Sequence, residues 1–162
     1  MVADDPETFA DLDGHDVAFA DDRLAQQADN IAKESPSFAQ ELDAAKKDSS
    51  IDVKVVERGV RTNEQGSNGD TSVSITDENG VTHVVTYVDS YRTSDNTVEH
   101  EWGHEKDART EAGTKFVRDA IADKKKYPDK SQHNGRPVEQ SANAFRDKVN
   151  EERKGYRKEQ KE

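Results

Sequence analysis

The sequence contains no cysteine, and it has only one methionine and one tryptophan among its 162 residues. Without cysteine, no disulfide can hold the fold together, and the redox compartment of the protein cannot be read from the chain. The same absence restricts metal binding, because the ligands of any metal ion must then be histidines or carboxylates. Long apolar runs are lacking as well, and none approaches the roughly 20 residues that cross a bilayer. We therefore expect no membrane insertion.

Residues 1–20 also lack the basic start and the apolar run of a signal peptide. They are rich in aspartate and are interrupted by Pro6 and Gly14, which is typical of a linker. We expect secretion, if it occurs, to depend on a larger carrier protein outside this chain.

Apolar side chains are scarce. Leu, Ile, Val and Phe together number 27, and the formal net charge is −11. This combination is typical of chains that cannot bury a large core, so we expect a small core that a metal ion or a partner chain helps to stabilise. The acidic balance also argues against nucleic-acid binding, which needs clustered lysine and arginine, and it favours a basic partner.

One stretch, residues 98–104, concentrates residue types that carry chemistry. It reads Val-Glu-His-Glu-Trp-Gly-His, and a helix there places His100 and His104 one turn apart on the same face. Two imidazoles at this spacing can bind one metal ion, and Zn²⁺ suits them while leaving a position for water. Glu101 lies beside them and can act as the general base for that water. We expect Gly103 to allow the close approach of another segment.

Apolar periodicity predicts an α+β fold with a small antiparallel sheet of about three strands. In chain order, we expect two N-terminal helices, three strands, the helix with the histidines, a further helix and a C-terminal ligand-bearing helix that opens at Pro137. The turn signal Asp-Glu-Asn-Gly at 77–80 predicts a hairpin between the last two strands. We assign residues 1–20 to a linker, 21–150 to the folded domain and 151–162 to a charged tail.

A His-Glu-x-x-His helix that follows several strands resembles the zincin class of zinc peptidases. The resemblance implies that the sheet edge, here 71–88, can pair with an extended peptide substrate. Zincin subclasses differ in the third ligand. The metzincin pattern is excluded, because Thr110 stands where it needs a histidine. The aspzincin pattern remains as an alternative through Gly113-Thr114, although Val117 occupies its aspartate position and Asp119 comes two residues late.

The C-terminal helix offers a better third ligand. The stretch that starts at Glu139 resembles the second helix of gluzincins, which implies that Glu139 binds the metal and that Asn143, one turn on, supports a zinc histidine. Glu139 could instead only complement the helix dipole, and Glu111 could serve as ligand if the motif helix ends early. His133 and Tyr127 are candidates for stabilising a transition state.

A second resemblance lies at the N-terminus. Residues 5–15, Asp-Pro-Glu-Thr-Phe-Ala-Asp-Leu-Asp-Gly-His, resemble the end of the Rhs-repeat core, although Leu12 replaces the usual proline. The resemblance implies a C-terminal toxin domain that follows a large secreted shell, with Asp11 and Asp13 at the positions of the junction aspartates. Their other interpretation is a solvated acidic turn.

Together these features predict a zinc metallopeptidase that is secreted or delivered as a toxin and cleaves a protein or peptide in a target cell. The implied partners are the Rhs shell and a cognate immunity protein, with no nucleic acid. The alternative is a non-catalytic binding domain whose metal is structural. Such a site would be closed, with four protein ligands and no water.

Overall fold

The computed structural model describes residues 17–48, 50–58, 69–74, 82–89, 94–110 and 113–162. These residues form strands and helices in mixed order, which confirms the α+β class. In chain order the elements are β1 (Val17–Phe19), α1 (Asp22–Glu34), α2 (Pro36–Lys47), β2 (Ile51–Arg58), β3 (Gly69–Ser74), β4 (Thr82–Asp89), α3 (Asp95–Thr110), α4 (Gly113–Lys126), a 3-10 helix (Lys130–Gly135) and α5 (Pro137–Gln160).

The strands form one mixed sheet in the order β1-β2-β4-β3. β1, β2 and β4 are parallel, whereas β3 pairs antiparallel with β4 at the edge. The expectation of an antiparallel sheet was wrong because β4 lies between β2 and β3, which makes β2 and β4 parallel neighbours. Alternating apolar residues indicate which face of a strand is buried, but they do not identify its neighbour.

The expected hairpin is confirmed as an antiparallel pair. Val73 of β3 lies opposite Val84 of β4. The turn signal at 77–80 falls outside the described residues. Because this pairing is local in sequence, the turn signal and the period-two alternation were sufficient to predict it.

Two segment boundaries differ from those drawn on composition. β1 falls within residues 1–20, and α5 continues to Gln160 through the region assigned to a charged tail. The physical reasons are tertiary contacts. The Phe19 ring of β1 stacks on Trp102, with 6.2 Å between ring centroids, and Arg153 of α5 is buried among acidic side chains. A strand of three residues is also too short to show periodicity.

Helix α3 contacts the sheet and the other helices at once. It packs against β3 and β4 on the sheet, and it contacts α5, which also packs against α1, α2 and α4. Trp102 of α3 is 1% exposed and lies 5.7 Å from the Phe38 ring of α2. These contacts hold the expected metal helix in the interior. No described helix is both long and apolar enough to cross a membrane.

Candidate metal centre

The candidate centre lies where α3 and α5 pack closely. Gly103 on α3 faces Ala142 on α5, and a Cβ atom placed on Gly103 would lie 2.7 Å from the Ala142 Cα and 3.0 Å from its carbonyl oxygen. These distances are shorter than van der Waals contact, so glycine is required for the observed approach of the two helices. The expectation for Gly103 is confirmed, and side chains on neighbouring turns of α3 and α5 come into direct contact.

Three of these side chains converge on one point. His100 and His104 come from successive turns of α3, and Glu139 comes from the first turn of α5. Glu139 Oε2 lies 3.0 Å from His100 Nε2 and 3.2 Å from His104 Nε2. Potential ligand atoms of the three residues all lie within 4.8 Å of one another. His104 and Glu139 are buried. A cluster of this composition and spacing could hold a metal ion.

Asn143 orients one of the two histidines. Its Oδ1 atom lies 2.9 Å from His100 Nδ1. An amide oxygen only accepts hydrogen bonds, so His100 Nδ1 donates, and in the neutral ring Nε2 then presents a lone pair toward Glu139. The carboxylate also presents lone pairs there, so a proton or a cation must lie between them. By contrast, His104 Nδ1 is buried and has no hydrogen-bond partner within the described ranges.

Burial and hydrogen bonds shift the pKa values of Glu139 and His104. Burial favours the neutral form of Glu139, but hydrogen bonds from His100 and His104 outweigh burial and hold the Glu139 pKa well below its usual range. Burial lowers the pKa of His104, whereas the hydrogen bond to Glu139 and the negative charge of Glu101 raise it, and the net pKa is raised. The surroundings of His104 therefore favour its positively charged form.

Glu101, the expected general base, lies beside the cluster. It is 5% exposed, and its negative charge contributes to the raised pKa of His104. The carboxylate is therefore close to that imidazole. It is also largely excluded from water, and electrostatic interactions are stronger in such surroundings than in water. The structure thus brings His100, His104, Glu139 and Asn143 into direct contact, with Glu101 nearby.

His133 approaches the cluster from the 3-10 helix. Its Nε2 lies 3.3 Å from Glu139 Oε2, and its side chain is 50% exposed. Arg136 holds this turn against the end of α4, because its Nε donates to the Tyr127 carbonyl at 3.1 Å and its Nη1 lies 3.4 Å from His133 Nδ1. The Tyr127 ring packs under the Lys126 amine at 5.3 Å. Of the two candidates for transition-state stabilisation, His133 is the one that contacts Glu139.

The other candidate ligands lie elsewhere. Asp119 is on α4, where its Oδ2 lies 2.6 Å from Lys115 Nζ. Within the described part of the chain, His100, His104 and Glu139 form the one cluster of three potential ligands. The aspzincin alternative therefore gains no support from the structure. Glu111, and the junction residues Asp11 and Asp13, lie outside the described residues.

A buried ion network that the sequence pattern did not predict lies at the other end of the α3–α5 contact. The Arg153 guanidinium of α5 lies 2.6 Å from Glu99 and 2.7 Å from Asp95, both on α3, and 3.0 Å from Glu34 on α1. Arg153 is 5% exposed and Glu99 is fully buried. The spacing of residues could have indicated that Arg153 is buried, because Arg153 continues the buried stripe of α5 one turn after Val149.

Comparisons of the chain with protein-family models, with curated proteins and with solved structures found no match. The comparisons therefore identify no family for this chain. What the structure supports is that the donor atoms of two histidines and one glutamate could hold a metal ion.

Proposed function

We propose that the protein is a zinc-dependent peptidase. The observation that carries the proposal is the convergence of His100, His104 and Glu139, with Asn143 behind His100 and Glu101 beside His104. Two imidazole nitrogens and one carboxylate oxygen are a donor set typical of catalytic zinc sites, which keep one position open for water or substrate. The carboxylate that serves as base is separate from the one that serves as ligand, as hydrolysis requires.

The donor set also supports zinc as the metal. Imidazole suits zinc better than it suits Mg²⁺ or Ca²⁺, which prefer oxygen ligands, and no thiolate is present to favour softer ions. Zinc, when bound, supplies a Lewis acid that polarises a carbonyl and lowers the pKa of water. Asn143 holds His100 in the tautomer that offers Nε2 as a ligand atom.

The remaining steps belong to side chains of this protein. Glu101 accepts a proton from the attacking water and passes it to the leaving amine nitrogen. His133, whose half-exposed ring reaches the cluster, donates a hydrogen bond to the oxygen on which negative charge develops. Tyr127, whose backbone carbonyl accepts a hydrogen bond from Arg136, is the second candidate for that role. The products are the two fragments of a hydrolysed peptide bond.

The sheet edge supports a peptide substrate. Strand β3 pairs with β4 on one side, and on its other side it has no partner strand among the described residues. Helix α3, which carries both histidines, contacts β3. An extended peptide can add to such an edge through main-chain hydrogen bonds. We therefore assign substrate pairing to the β3 side of the hairpin within 71–88.

We further propose that this peptidase is a toxin that a larger carrier delivers into a target cell. The support is the resemblance of residues 5–15 to the junction of Rhs proteins, which lies outside the described residues. On this proposal, Asp11 and Asp13 belong to the junction. The partners are then the Rhs shell, a protein substrate and an immunity protein that protects the producing cell.

The second candidate function is a binding domain with a structural metal ion. The position of His133 favours it, because His133 Nε2 lies 3.3 Å from Glu139 Oε2. As a fourth protein ligand, His133 would close the site and leave no place for water. The number of protein ligands on the bound metal therefore separates the two functions.

The first test is metal binding by the purified chain. We expect elemental analysis to find about one zinc ion per chain, as a single three-ligand site requires. His104→Ala should lose the ion, and Glu139→Gln should bind it at least about tenfold more weakly. Glu151→Gln removes an exposed glutamate from the same helix and serves as the control, with binding unchanged.

The second test is hydrolysis. The zinc-loaded protein should cleave members of a peptide library, and Glu101→Gln should keep its zinc but lose cleavage by a factor of about 10² or more. X-ray absorption on the zinc edge counts the nitrogen ligands. A chain that binds no zinc contradicts both functions. Zinc held by three histidine nitrogens and Glu139, without hydrolysis, favours the structural site.

A further inference from the structure

The distribution of charge indicates which substrates the site accepts, an inference that rests on the proposed peptidase function. The whole chain carries a net charge of −11, but residues 113–136 contain seven lysines and arginines, three aspartates and no glutamate. This segment includes α4 and the 3-10 helix. It is therefore a basic region in an acidic protein. It favours an acidic partner, whereas the overall charge favours a basic one.

Six exposed residues on the outer side of α4 form a surface that we call the basic face. The central four have the spacing i, i+3, i+4 and i+7, which places them on one side of a helix. The four are Arg118, Ile121, Ala122 and Lys125, and Lys115 and Lys126 lie at the margins. The opposite side of α4 carries Phe116, which is buried.

The helix dipole explains only part of this basic face. Lysines in the last turn of α4 complement the negative end of the dipole. Lys115, however, lies near the start of the helix, where a positive charge is unfavourable, and the first turn contains no acidic residue. Lys115 is paired with Asp119, but Arg118 and Lys125 are exposed and add further positive charge. Helix stability alone does not account for this pattern.

Ile121 indicates that the partner of the basic face is a polypeptide. It is 52% exposed and is the one large hydrophobic residue that is exposed within the described ranges. Nucleic acids bind basic surfaces mainly through phosphate charge and gain little from an aliphatic side chain. A polypeptide can bury Ile121 while its carboxylates meet the surrounding cations, and burial contributes about 25 cal/mol per Å² of apolar surface.

Helix α4, which carries the basic face on its outer side, is held against the candidate metal centre by contacts at both of its ends. The Phe116 ring meets the His104 ring edge-on, with 6.2 Å between centroids. Near the other end, Asp123 Oδ2 accepts a hydrogen bond of 3.0 Å from the backbone N–H of Val138, the residue before Glu139. α4 therefore positions its outer face relative to the two histidines and to Glu139.

We propose that the basic face binds an acidic segment of the protein substrate that also carries apolar residues, and so directs cleavage to bonds near such segments. The net charge of the rest of the chain is negative. An acidic substrate would therefore be repelled at most other orientations and attracted at this one. The protein would then prefer acidic substrates, and it would bind them with their acidic segment on the basic face.

The test measures binding in the full chain carrying Glu101→Gln, so that no turnover occurs. The probe is a fluorescent peptide rich in glutamate with interspersed leucine, and the comparison probes are its lysine counterpart and a single-stranded DNA oligonucleotide. We expect the acidic peptide to bind most tightly of the three. The double variant Arg118→Glu/Lys125→Glu should weaken its binding at least about tenfold, and added salt should weaken it in the parent chain.

Two further variants control for net charge and for the apolar contact. Lys33→Glu/Lys46→Glu makes the same change in net charge at exposed positions on α1 and α2, and it should leave binding unchanged. Ile121→Ser should weaken binding about threefold to tenfold, because it removes apolar surface but no charge. Circular dichroism confirms that each variant folds.

The outcomes separate this proposal from the peptidase proposal. Equal binding by the Arg118→Glu/Lys125→Glu and Lys33→Glu/Lys46→Glu variants would overturn the docking role, and so would tighter binding of the oligonucleotide. Binding of the acidic peptide that depends on Arg118 and Lys125, without hydrolysis by the intact chain, supports docking and contradicts the peptidase. Hydrolysis of a peptide library with no preference for acidic sequences supports the peptidase and overturns docking.

Discussion

Helices α3 and α5 bury charged groups at both ends of their contact, but in different ways. At the Arg153 end, the cation and its anions all come from the chain, and Arg153 donates to Glu99 at 2.6 Å. At the end that carries the candidate metal centre, which we call the metal end, the Glu139 carboxylate faces ring nitrogens of His100 and His104. The first cluster contains both signs of charge, whereas the second could hold a metal ion.

Two kinds of buried charged cluster can be distinguished by the groups that face each other in them. A cluster that contains its own counter-charges connects parts of the fold, and removing one member leaves an unpaired charge. A cluster of potential ligand atoms can instead gain stability from a metal ion that comes from outside. Burial is similar in the two clusters, so the chemical types of the facing atoms make the difference.

The largest effect is expected at the Arg153 end. Arg153→Met leaves Glu99 buried without its cation, and the metal-free protein should lose about 3–5 kcal/mol of unfolding free energy. Burial already raises the pKa of Glu99 while Arg153 is present. Urea denaturation measures the loss. Arg146→Met is the control, because Arg146 pairs with the exposed Asp147 and its removal should cost less than about 1 kcal/mol.

An equal, small loss in both arginine variants would contradict the view that this end supports the fold.

Zinc binding gives a second contrast between the two ends. A metal ion at about one hundred times its dissociation constant should raise the stability of the parent chain by about 2.7 kcal/mol. It should not do so in His104→Ala.

Gly103→Ala should disturb both ends through the helix contact itself. The added Cβ overlaps the Ala142 backbone, so α3 and α5 must separate, at a cost of about 1–3 kcal/mol. Zinc affinity should fall as well, because Glu139 moves with α5. Gly155→Ala is a matched control on α5, with no atom within 4 Å of the added Cβ, and it should stabilise the helix by about 0.5–1 kcal/mol. If the two variants behave alike, the close contact is not needed.

Asn143→Ala tests the metal end alone. Removal of the acceptor behind His100 should weaken zinc binding about tenfold, measured by competition with a chelator. Asn143→Asp should keep or strengthen binding, because a carboxylate accepts the same hydrogen bond more strongly. Asn150→Ala, which removes an exposed amide that bonds Asn96, should leave zinc affinity unchanged. Weaker binding in Asn150→Ala than in Asn143→Ala would argue against an orienting role.

The smallest effect concerns acid stability at the Arg153 end. A hydrogen bond from Arg157, opposed by partial burial and aided by Arg153, lowers the pKa of Glu34 from 4.5 to about 2. Because the folded pKa lies below the unfolded one, this stabilisation is present above pH 4.5 and is lost as the pH falls toward 2. Unfolding of metal-free Glu34→Gln should depend less on pH in that window than unfolding of the parent chain. Identical slopes would show that Glu34 is not linked to folding.

The metal helix and its partner were predictable to different degrees. The spacing of His100 and His104 is a local property of one helix, and so is the spacing of Glu139 and Asn143. The contact between the two pairs is not local. It depends on Gly103 and Ala142, whose approach could be expected from a glycine in a helix but could not be assigned to a partner from sequence.

By itself, the sequence determined the α+β class, the β3–β4 hairpin and the faces of the helices, because these follow from turn residues and from the periods of helix and strand. Only the tertiary structure decided that β2 and β4 are parallel neighbours, and that His133, not Asp119, lies against Glu139. It also showed that Arg153 is internal to the fold. These features depend on contacts between segments far apart in the chain, which local periodicity does not record.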